Sequence, residues 1–294
     1  MKSCPAEYSA GHAYELKFLM SEKPVTRIRP SKGWQPVDLA EVIRYRDLLY
    51  FLTVRGIKAK YAQSVLGVGW AIIQPLFMTL IFTVVFGRLA GISSDGVPYL
   101  LFSLCGMIPW NYFSGTLTDA SQSMVANANM LSKVYFPRLV LPASAIFSKL
   151  LDLIIGMVVM VIFMIIYQVM PGWEVLLLPI LLIILLLTSM GIGLILAAMS
   201  VQFRDIRHMT PFLVQLLMYA APVVYPTSKI PDNWKLFYAI NPMVGVIEGF
   251  RSALLGSIDF PWMYVGVGSI TSIILFIYGI YYFGKTEKTF ADIV

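Results

Sequence analysis

One stretch near the end of the sequence matches a pattern that binds nucleotide phosphates. Residues Gly279-Ile-Tyr-Tyr-Phe-Gly284-Lys285-Thr286 fit the spacing G-x-x-x-x-G-K-[ST]. A working phosphate loop follows a buried strand, wraps the phosphates with backbone N–H groups and opens a helix. Here bulky residues fill the variable positions, and the match ends a long apolar run. The sequence therefore predicts no nucleotide site at this position.

Other groups that could carry catalysis or hold a metal are scattered. The histidines are His12 and His208, the cysteines are Cys4 and Cys105, and no cluster has the spacing of metal ligands. The long apolar runs contain no carboxylate, whereas ion-coupled transporters usually place such groups at mid-membrane. We expect no catalytic residue, no metal site and no cofactor on this chain. If the protein moves a substrate uphill, the energy must enter from elsewhere.

The elements that could position any site are membrane spans. Hydrophobic residues make up 58% of the 294 positions and charged residues 13%, about half the charged share of a soluble domain. A helix needs about 20 apolar residues to cross the hydrocarbon core. The predicted fold is an all-α integral membrane protein with six transmembrane helices. Its predicted spans are Tyr61–Gly87, Gly96–Thr118, Leu153–Trp173, Val175–Phe203, His208–Ser228 and Phe260–Gly284.

The basic residues predict the orientation of these spans. With the amino terminus inside, the segments on the inner side carry 18 of the 22 Lys and Arg residues. The positive-inside rule then predicts that both termini are cytoplasmic. The first ~35 residues contain no apolar stretch like that of a signal peptide, so we expect the first span to act as the anchor.

Two inner segments are more apolar than a solvated loop needs to be. Residues Asp38–Lys60 form an amphipathic pattern, which fits a helix on the inner membrane surface or a docking surface for a cytosolic partner. The loop Asp119–Arg138 fits a short helix stopped before Pro137, packed against its own span ends or in a partner's groove. A third inner loop, Phe203–Arg207, is shorter and rich in charged residues. This composition is typical of the residues that anchor the end of a transmembrane helix.

The outer segment Thr227–Phe260 is long enough to form structure, but it contains no run that could cross a membrane. We therefore predict re-entrant or interfacial helices in this segment, between spans five and six. Asn241-Pro242 can begin one of them, because proline is tolerated in the first turn of a helix. Pairs of opposite charge at i,i+3 spacing predict structural ion pairs, namely Glu248 with Arg251 and Lys149 with Asp152.

Aromatic residues populate the apolar runs. Interfacial belts and lipid-facing packing explain most of them. Rings that line a conduit would also suit sugars, because the C–H face of a pyranose stacks on an aromatic ring. The candidates for a substrate pathway are Trp70, Phe77, Phe82, Phe86, Tyr219 and Tyr225.

Several short motifs occur in an order that resembles a known family. They are Arg46-Asp-Leu-Leu-Tyr-Phe-Leu52, Leu66-Gly-Val-Gly-Trp-Ala-Ile-Ile-Gln-Pro75, Pro109-Trp110, Lys133-Val-Tyr-Phe-Pro-Arg138, Phe203-Arg-Asp-Ile206 and Asn241-Pro-Met-Val-Gly-Val-Ile-Glu-Gly-Phe-Arg251. Together they resemble the membrane subunit of bacterial ABC exporters for cell-surface polysaccharides. These are the O-antigen, capsule and teichoic-acid permeases among the type 2 ABC transporters.

The resemblance implies a homodimer in the bacterial inner membrane with two cytosolic ATP-binding subunits, which would bind ATP and Mg²⁺. The implied substrate is a glycan on a polyprenyl pyrophosphate lipid, and the implied contacts include membrane lipids but no nucleic acid. By position, 38–60 looks like the family's interface helix, 61–290 like its six-span permease domain, and Thr227–Phe260 like its re-entrant outer helices between spans five and six. The polar residues 1–37, by contrast, are predicted from their composition to form a mostly irregular cytoplasmic tail.

The resemblance also suggests roles for individual positions. The residues expected to couple to the ATPase are Met124, Met130, Leu131, Lys133, Arg138, Arg204 and Asp205. The outer gate would include Asn241, Glu248 and Arg251. Cations at headgroup depth suit a lipid pyrophosphate, and the best placed are Arg55, Lys58 and Lys60.

Two other classes of protein remain possible from the residues alone. The chain could be an ion-coupled or passive flippase or channel for lipid-linked sugars, although the absence of charge within the spans argues against ion coupling. A membrane glycosyltransferase would need acidic residues at the membrane surface around a metal or sugar phosphate. The outer carboxylates form no motif of that kind.

Overall fold

A computed structural model of the chain describes residues 39–62, 66–131, 133–256 and 258–287. Within these ranges every regular element is a helix, as the sequence predicts. The predicted tail at 1–37 lies outside the described residues, as do Asp38, Ser132 and the residues from 288 onward.

The helices follow one another with short connections. The first six are α1 (Leu39–Arg44), α2 (Arg46–Tyr61), α3 (Gly69–Phe82), α4 (Tyr99–Ala126), α5 (Ala128–Leu131) and α6 (Val140–Ser148). The next six are α7 (Leu150–Tyr167), α8 (Leu178–Gln202), α9 (Asp205–Tyr219), α10 (Asp232–Ala239), α11 (Pro242–Leu255) and α12 (Trp262–Glu287). A π-helix, Thr83–Leu89, extends α3, and short 3₁₀-helices lie at Trp173–Leu177 and Thr227–Lys229.

Four helical stretches of the described chain are long and apolar enough to cross a membrane. They are Gly69–Leu89, Val140–Tyr167, Trp173–Gln202 and Trp262–Glu287, which correspond to the predicted spans one, three, four and six. The second predicted span lies in α4, which has 28 residues but many polar ones. The fifth, His208–Ser228, overlaps α9, which ends at Tyr219 and whose 15 residues extend about 22 Å, less than the ~30 Å hydrocarbon core. For these two elements, membrane crossing stays a prediction.

The structure corrects several predicted boundaries. The third span begins at Val140 rather than Leu153. The predicted start excludes the charged residues Lys149 and Asp152, but both lie inside the helical stretch. The amphipathic segment 38–60 is divided at Tyr45 into α1 and α2. The predicted loop Asp119–Arg138 continues as α4 to Ala126 before the chain turns.

Two apolar clusters hold the bundle together. The larger one surrounds α4 and includes residues of α7, α8 and α11. The second joins α2, the segment around Phe136, and the ends of α4, α8 and α12. We call the region of this second cluster the basic end, because Arg55 and Lys58 lie on α2, Arg138 is two residues from Phe136, and Arg204 follows the end of α8.

The most extensive helix contact among the described residues joins α8 to α12. A methyl group on Gly279 would lie 2.4 Å from the carbonyl oxygen of Gly191, so the two backbones are in direct contact. In the preceding turns of the same two helices, the hydroxyl oxygens of Thr188 and Ser272 are 2.8 Å apart. Small residues commonly permit such close approach between membrane helices, and hydroxyl pairs add hydrogen bonds across the crossing.

Candidate functional site

The buried ion pair that the i,i+3 spacing predicts is present on α11. Nη1 of Arg251 lies 2.8 Å from Oε1 of Glu248, and the side chains are 1% and 2% exposed. Nη2 of Arg251 donates to the carbonyl oxygen of Val223 at 2.8 Å. Its Cζ lies 3.6 Å from the centroid of the Phe102 ring. This one side chain therefore ties α11 to α4 and to the turn that follows α9.

Helix α11 is buried along its whole length. It begins at Pro242, and the Asn241 side chain caps it by accepting a hydrogen bond of 3.1 Å from the backbone N–H of Met243. The Nδ2 group of Asn241 also donates to the carbonyl oxygen of Ala220 at 3.3 Å. The three residues expected at an outer gate are thus parts of one docked structural unit, and their role in gating stays a prediction.

The inner-loop residues expected to couple to an ATPase divide into two groups. Met124 is completely buried in the second apolar cluster, and Met130 and Leu131 pack against that cluster. These side chains therefore meet the ends of the chain's own helices, which is one of the two alternatives that the sequence left open. Arg138 is also tied within the chain, since its Nη1 donates to the backbone carbonyl of Glu287.

The exposed part of the same segment lies immediately after α5. Lys133 is exposed, as are Val134 at 57% and Tyr135 at 76%. The nearby carboxylate of Glu41 on α1 raises the pKa of the Tyr135 phenol. At the next chain reversal on this end, Arg204 and Asp205 are exposed. We call these exposed residues the coupling surface (Lys133, Val134, Tyr135, Arg204 and Asp205), and their contact with an ATPase subunit stays a prediction.

The predicted ion pair between Lys149 and Asp152 is wrong. Nζ of Lys149 lies 2.9 Å from Oδ2 of Asp119 on α4. Asp152 instead accepts hydrogen bonds from Nζ of Lys60 and from the hydroxyl of Tyr61, both on α2. Sequence spacing placed the two charges on one helix face, but neighbouring helices supply closer partners.

The three cations expected to meet a lipid pyrophosphate are therefore not equivalent. Arg55 and Lys58 are exposed on α2. Lys60 forms an ion pair with Asp152, so a carboxylate already neutralises its charge. Arg55 lines a cavity of about 460 Å³ between α2, α4 and α6, and Lys60 lines it as well.

The aromatic residues expected along a substrate pathway do not share one environment. Trp70, Phe77 and Tyr219 are more than half exposed. Phe82 is buried and packs edge-on against Phe86, with the ring centroids 5.6 Å apart, so it does not reach the surface of the chain. The hydroxyl of Tyr225 bonds to the carbonyl of Tyr219 and to the hydroxyl of Tyr238, each at 2.9 Å.

The segment that matches the phosphate pattern lies on a single continuous helix. Residues Gly279 to Thr286 all belong to α12. Gly279 packs against α8, and Phe283 is fully buried in the second cluster. Their backbone N–H groups are directed along the helix and cannot wrap a phosphate. Within the described residues, no group of three or more His, Cys, Asp or Glu side chains is placed to hold a metal ion.

The comparison with known families decides the assignment. Residues 47–255, which include every element from α2 to α11, match the family described as ABC-2 type transporter. The chain belongs to this family. The resemblance that the sequence motifs indicate is thereby confirmed, and this ABC-2 family member is a multi-pass membrane protein of the permease type.

Curated relatives of this ABC-2 family member are named for polysaccharide export. The chain is 28% identical over 252 residues to the O-antigen export system permease protein RfbA of Klebsiella pneumoniae, covering 84% of this chain and 95% of that protein. It is 32% identical over 214 residues to RfbA of Myxococcus xanthus, covering 72% and 82%. It is 28% identical over 212 residues to the polysialic acid transport protein KpsM of Escherichia coli, covering 69% and 80%.

Proposed function

We propose that this chain is the membrane subunit of an ATP-driven exporter of lipid-linked polysaccharide. Two copies would form the conduit, and two cytosolic subunits would bind ATP and Mg²⁺. The observation that carries the proposal is the near-complete alignment with O-antigen export permeases, which spans 95% of one relative. Direction would be from the cytoplasm across the bacterial inner membrane, with both termini cytoplasmic, in agreement with the distribution of basic residues.

The buried charged residues of the described bundle support an energy source outside this chain. Glu248 is its one fully buried carboxylate, and Arg251 holds it by a direct ion pair. A carboxylate that drives ion coupling must exchange protons or ions with water on both sides of the membrane. A pair that is docked between α11, α4 and the turn after α9 is poorly suited to that exchange. This favours the ATP-driven exporter over the ion-coupled flippase.

The lipid carrier would enter beside α2. A pyrophosphate needs cations at headgroup depth, and Arg55 and Lys58 are exposed on this helix just before the first span. Helices α1 and α2 would then form the interface helix, α10 and α11 the re-entrant outer helices, and α4 and α9 the second and fifth of six spans. Exposed apolar side chains along α3 would face lipid or the second copy.

The energy source gives a first test of this proposal. We expect the purified chain to hydrolyse no ATP by itself, because the phosphate pattern lies on the helix α12. Lys285→Ala should leave glycan export in cells within about twofold of wild type, since Lys285 is exposed and substitutions at such sites are usually mild. Intrinsic ATPase activity that disappears in this variant would overturn the proposal.

The coupling surface gives a second test. Val134→Ala combined with Tyr135→Ala should weaken binding of the cognate ATPase subunit about tenfold or more, as truncation of an exposed interface aromatic often does. The helices should stay folded, because both side chains are largely exposed in this chain. Pull-down of the ATPase subunit at graded concentrations measures the effect.

A matched control lies at the far end of the bundle. Trp173 is also a largely exposed aromatic residue, at 67%, but it stands between α7 and α8 away from the basic end. Trp173→Ala should leave binding of the ATPase subunit unchanged. Equal binding by the wild type and the Val134/Tyr135 variant would show that the ATPase docks elsewhere.

A further inference from the structure

A polar cavity of about 170 Å³ lies beside the start of the first span, between α3, α4 and α7. Its walls include the indole of Trp70, the amides of Gln74 and Asn111, and the side chains of Ser114 and Asp152. A cavity of roughly 150 Å³ can hold one six-membered ring such as benzene. There is therefore room for a single ring, and not for a length of chain.

Two side-chain amides that line this cavity have no hydrogen-bond partner among the described residues. Gln74 lies one turn after Trp70, so both side chains are on the same face of α3. Neither the Gln74 nor the Asn111 side-chain amide forms a hydrogen bond to another described residue. Each amide offers two donors and an acceptor, and both residues remain accessible, Gln74 being exposed and Asn111 half-buried. Both amides can therefore bind water or a hydroxyl-rich ligand that enters the cavity.

The charges around the cavity argue against a phosphate as that ligand. Lys60 is bonded to Asp152, and Lys149 is bonded to Asp119 at 2.9 Å. Each lysine at the wall is thus neutralised by a carboxylate. A phosphate group binds best to cations that remain uncompensated, as in charge-assisted pairs with Arg or Lys.

We propose that this cavity binds one sugar ring of the transported glycan, the ring next to the lipid carrier. The inference rests on the proposed function. A pyranose has an apolar C–H face that fits the indole of Trp70, which is 51% exposed and can serve as a stacking surface. Its hydroxyls can both donate to and accept from the amides of Gln74 and Asn111, and they can donate to Asp152.

The position of the neighbouring cavity indicates which ring of the glycan would bind, namely the sugar next to the lipid carrier. The cavity of about 460 Å³ that Arg55 lines shares Lys60 and Lys149 with the sugar-sized one. A pyrophosphate held near Arg55 would therefore leave the sugar attached to it within reach of Trp70 and Gln74. The chain would then recognise both the anionic link and the identity of the first sugar.

The test measures binding of synthetic lipids to the full chain assembled with its ATPase subunit in nanodiscs. One probe is a polyprenyl pyrophosphate without sugar, and the others carry a single glucose, galactose, N-acetylglucosamine or N-acetylgalactosamine. We expect the wild type to bind at least one sugar-bearing probe about tenfold or more tightly than the sugar-free probe, as hydrogen-bonded recognition of a sugar would require. Gln74→Leu with Asn111→Leu should abolish that preference and leave the affinity for the sugar-free probe within twofold.

Two further variants separate recognition from folding. Trp70→Leu should lose the preference, whereas Trp70→Phe should keep most of it, because a ring remains for stacking. Gln202→Leu removes an exposed amide at the end of α8, outside the cavity, and should change neither affinity. Elution volume and melting temperature identify any variant that fails to fold.

The outcomes distinguish this inference from the proposed function. A wild type that binds every probe equally, or cavity variants that keep the preference, would overturn the sugar site and leave the exporter intact. Equal loss of all probes in the folded cavity variants would indicate a phosphate or general lipid site instead. A wild type that binds none of the probes would overturn both.

Discussion

Replacement of Arg251 by methionine should destabilise the protein by about 3–5 kcal/mol, because it leaves the Glu248 carboxylate buried without its partner. The same change removes the hydrogen bond to Val223 and the contact with the Phe102 ring. Helix α11 should then lose its attachment to α4. The expected result is a large drop in melting temperature in detergent and a low yield of folded protein.

The double variant Glu248→Met with Arg251→Met tests whether the ion pair itself is the cause. Replacing both members of a buried pair by apolar residues often costs little, whereas removing one member is expensive. The double variant should therefore be clearly more stable than Arg251→Met alone. If both variants are equally destabilised, the pair contributes only through packing, and the explanation is wrong.

Asp232 and Lys235 provide the control for this experiment. They have the same i,i+3 spacing on α10, with an N–O distance of 2.6 Å, but they lie at the surface. Exposed ion pairs contribute little to stability, since water screens them and their side chains lose conformational freedom. Lys235→Met should leave the melting temperature unchanged.

Gly279→Ala should have the second large effect, although it adds only one methyl group. That methyl would lie 2.4 Å from the carbonyl oxygen of Gly191, and backbone atoms cannot give way as a flexible side chain can. Helices α8 and α12 would have to separate along their most extensive contact. We expect a loss of roughly 3 kcal/mol or more, at the upper end of overpacking costs.

The same substitution at Gly266 is the matched control on the same helix. No atom lies within 4 Å of the position that a methyl group on Gly266 would occupy. Since alanine favours the helix by about 0.8–1.0 kcal/mol over glycine, Gly266→Ala should be neutral or stabilising. In detergent, the melting temperature should fall for Gly279→Ala and should stay level or rise for Gly266→Ala. A Gly279→Ala variant as stable as wild type would mean that this crossing is looser than the structure has it.

The sequence was most informative where an interaction is local. Glu248 and Arg251 lie three residues apart on one helix, and their predicted ion pair is confirmed. Lys149 and Asp152 have the same spacing, yet they bond to Asp119 on α4 and to Lys60 on α2. Spacing indicates which side chains share a face, but only the packing of the helices determines which neighbour approaches that face.

The same limit applies to the helices and to the candidate site. Apolar runs located the four membrane-length helical stretches of the described chain, but the charges of Lys149 and Asp152 inside Val140–Tyr167 shifted the predicted start of the third span. Small residues in the apolar runs are compatible with close helix crossings. Only the folded structure, however, shows that Gly191 meets Gly279. The polar cavity could not be predicted, because Gln74 and Asn111 come from different helices that no motif connects.

The most direct test of the exporter uses proteoliposomes that contain the purified chain and its cognate ATPase subunit. Lipid-linked glycan is placed in the leaflet on the ATPase side, and its appearance on the other side is followed by cleavage with an added glycosidase. We predict that the glycan becomes accessible only when both subunits and Mg-ATP are present. Transfer by the chain alone, or transfer driven by a proton or sodium gradient without ATP, would contradict the account.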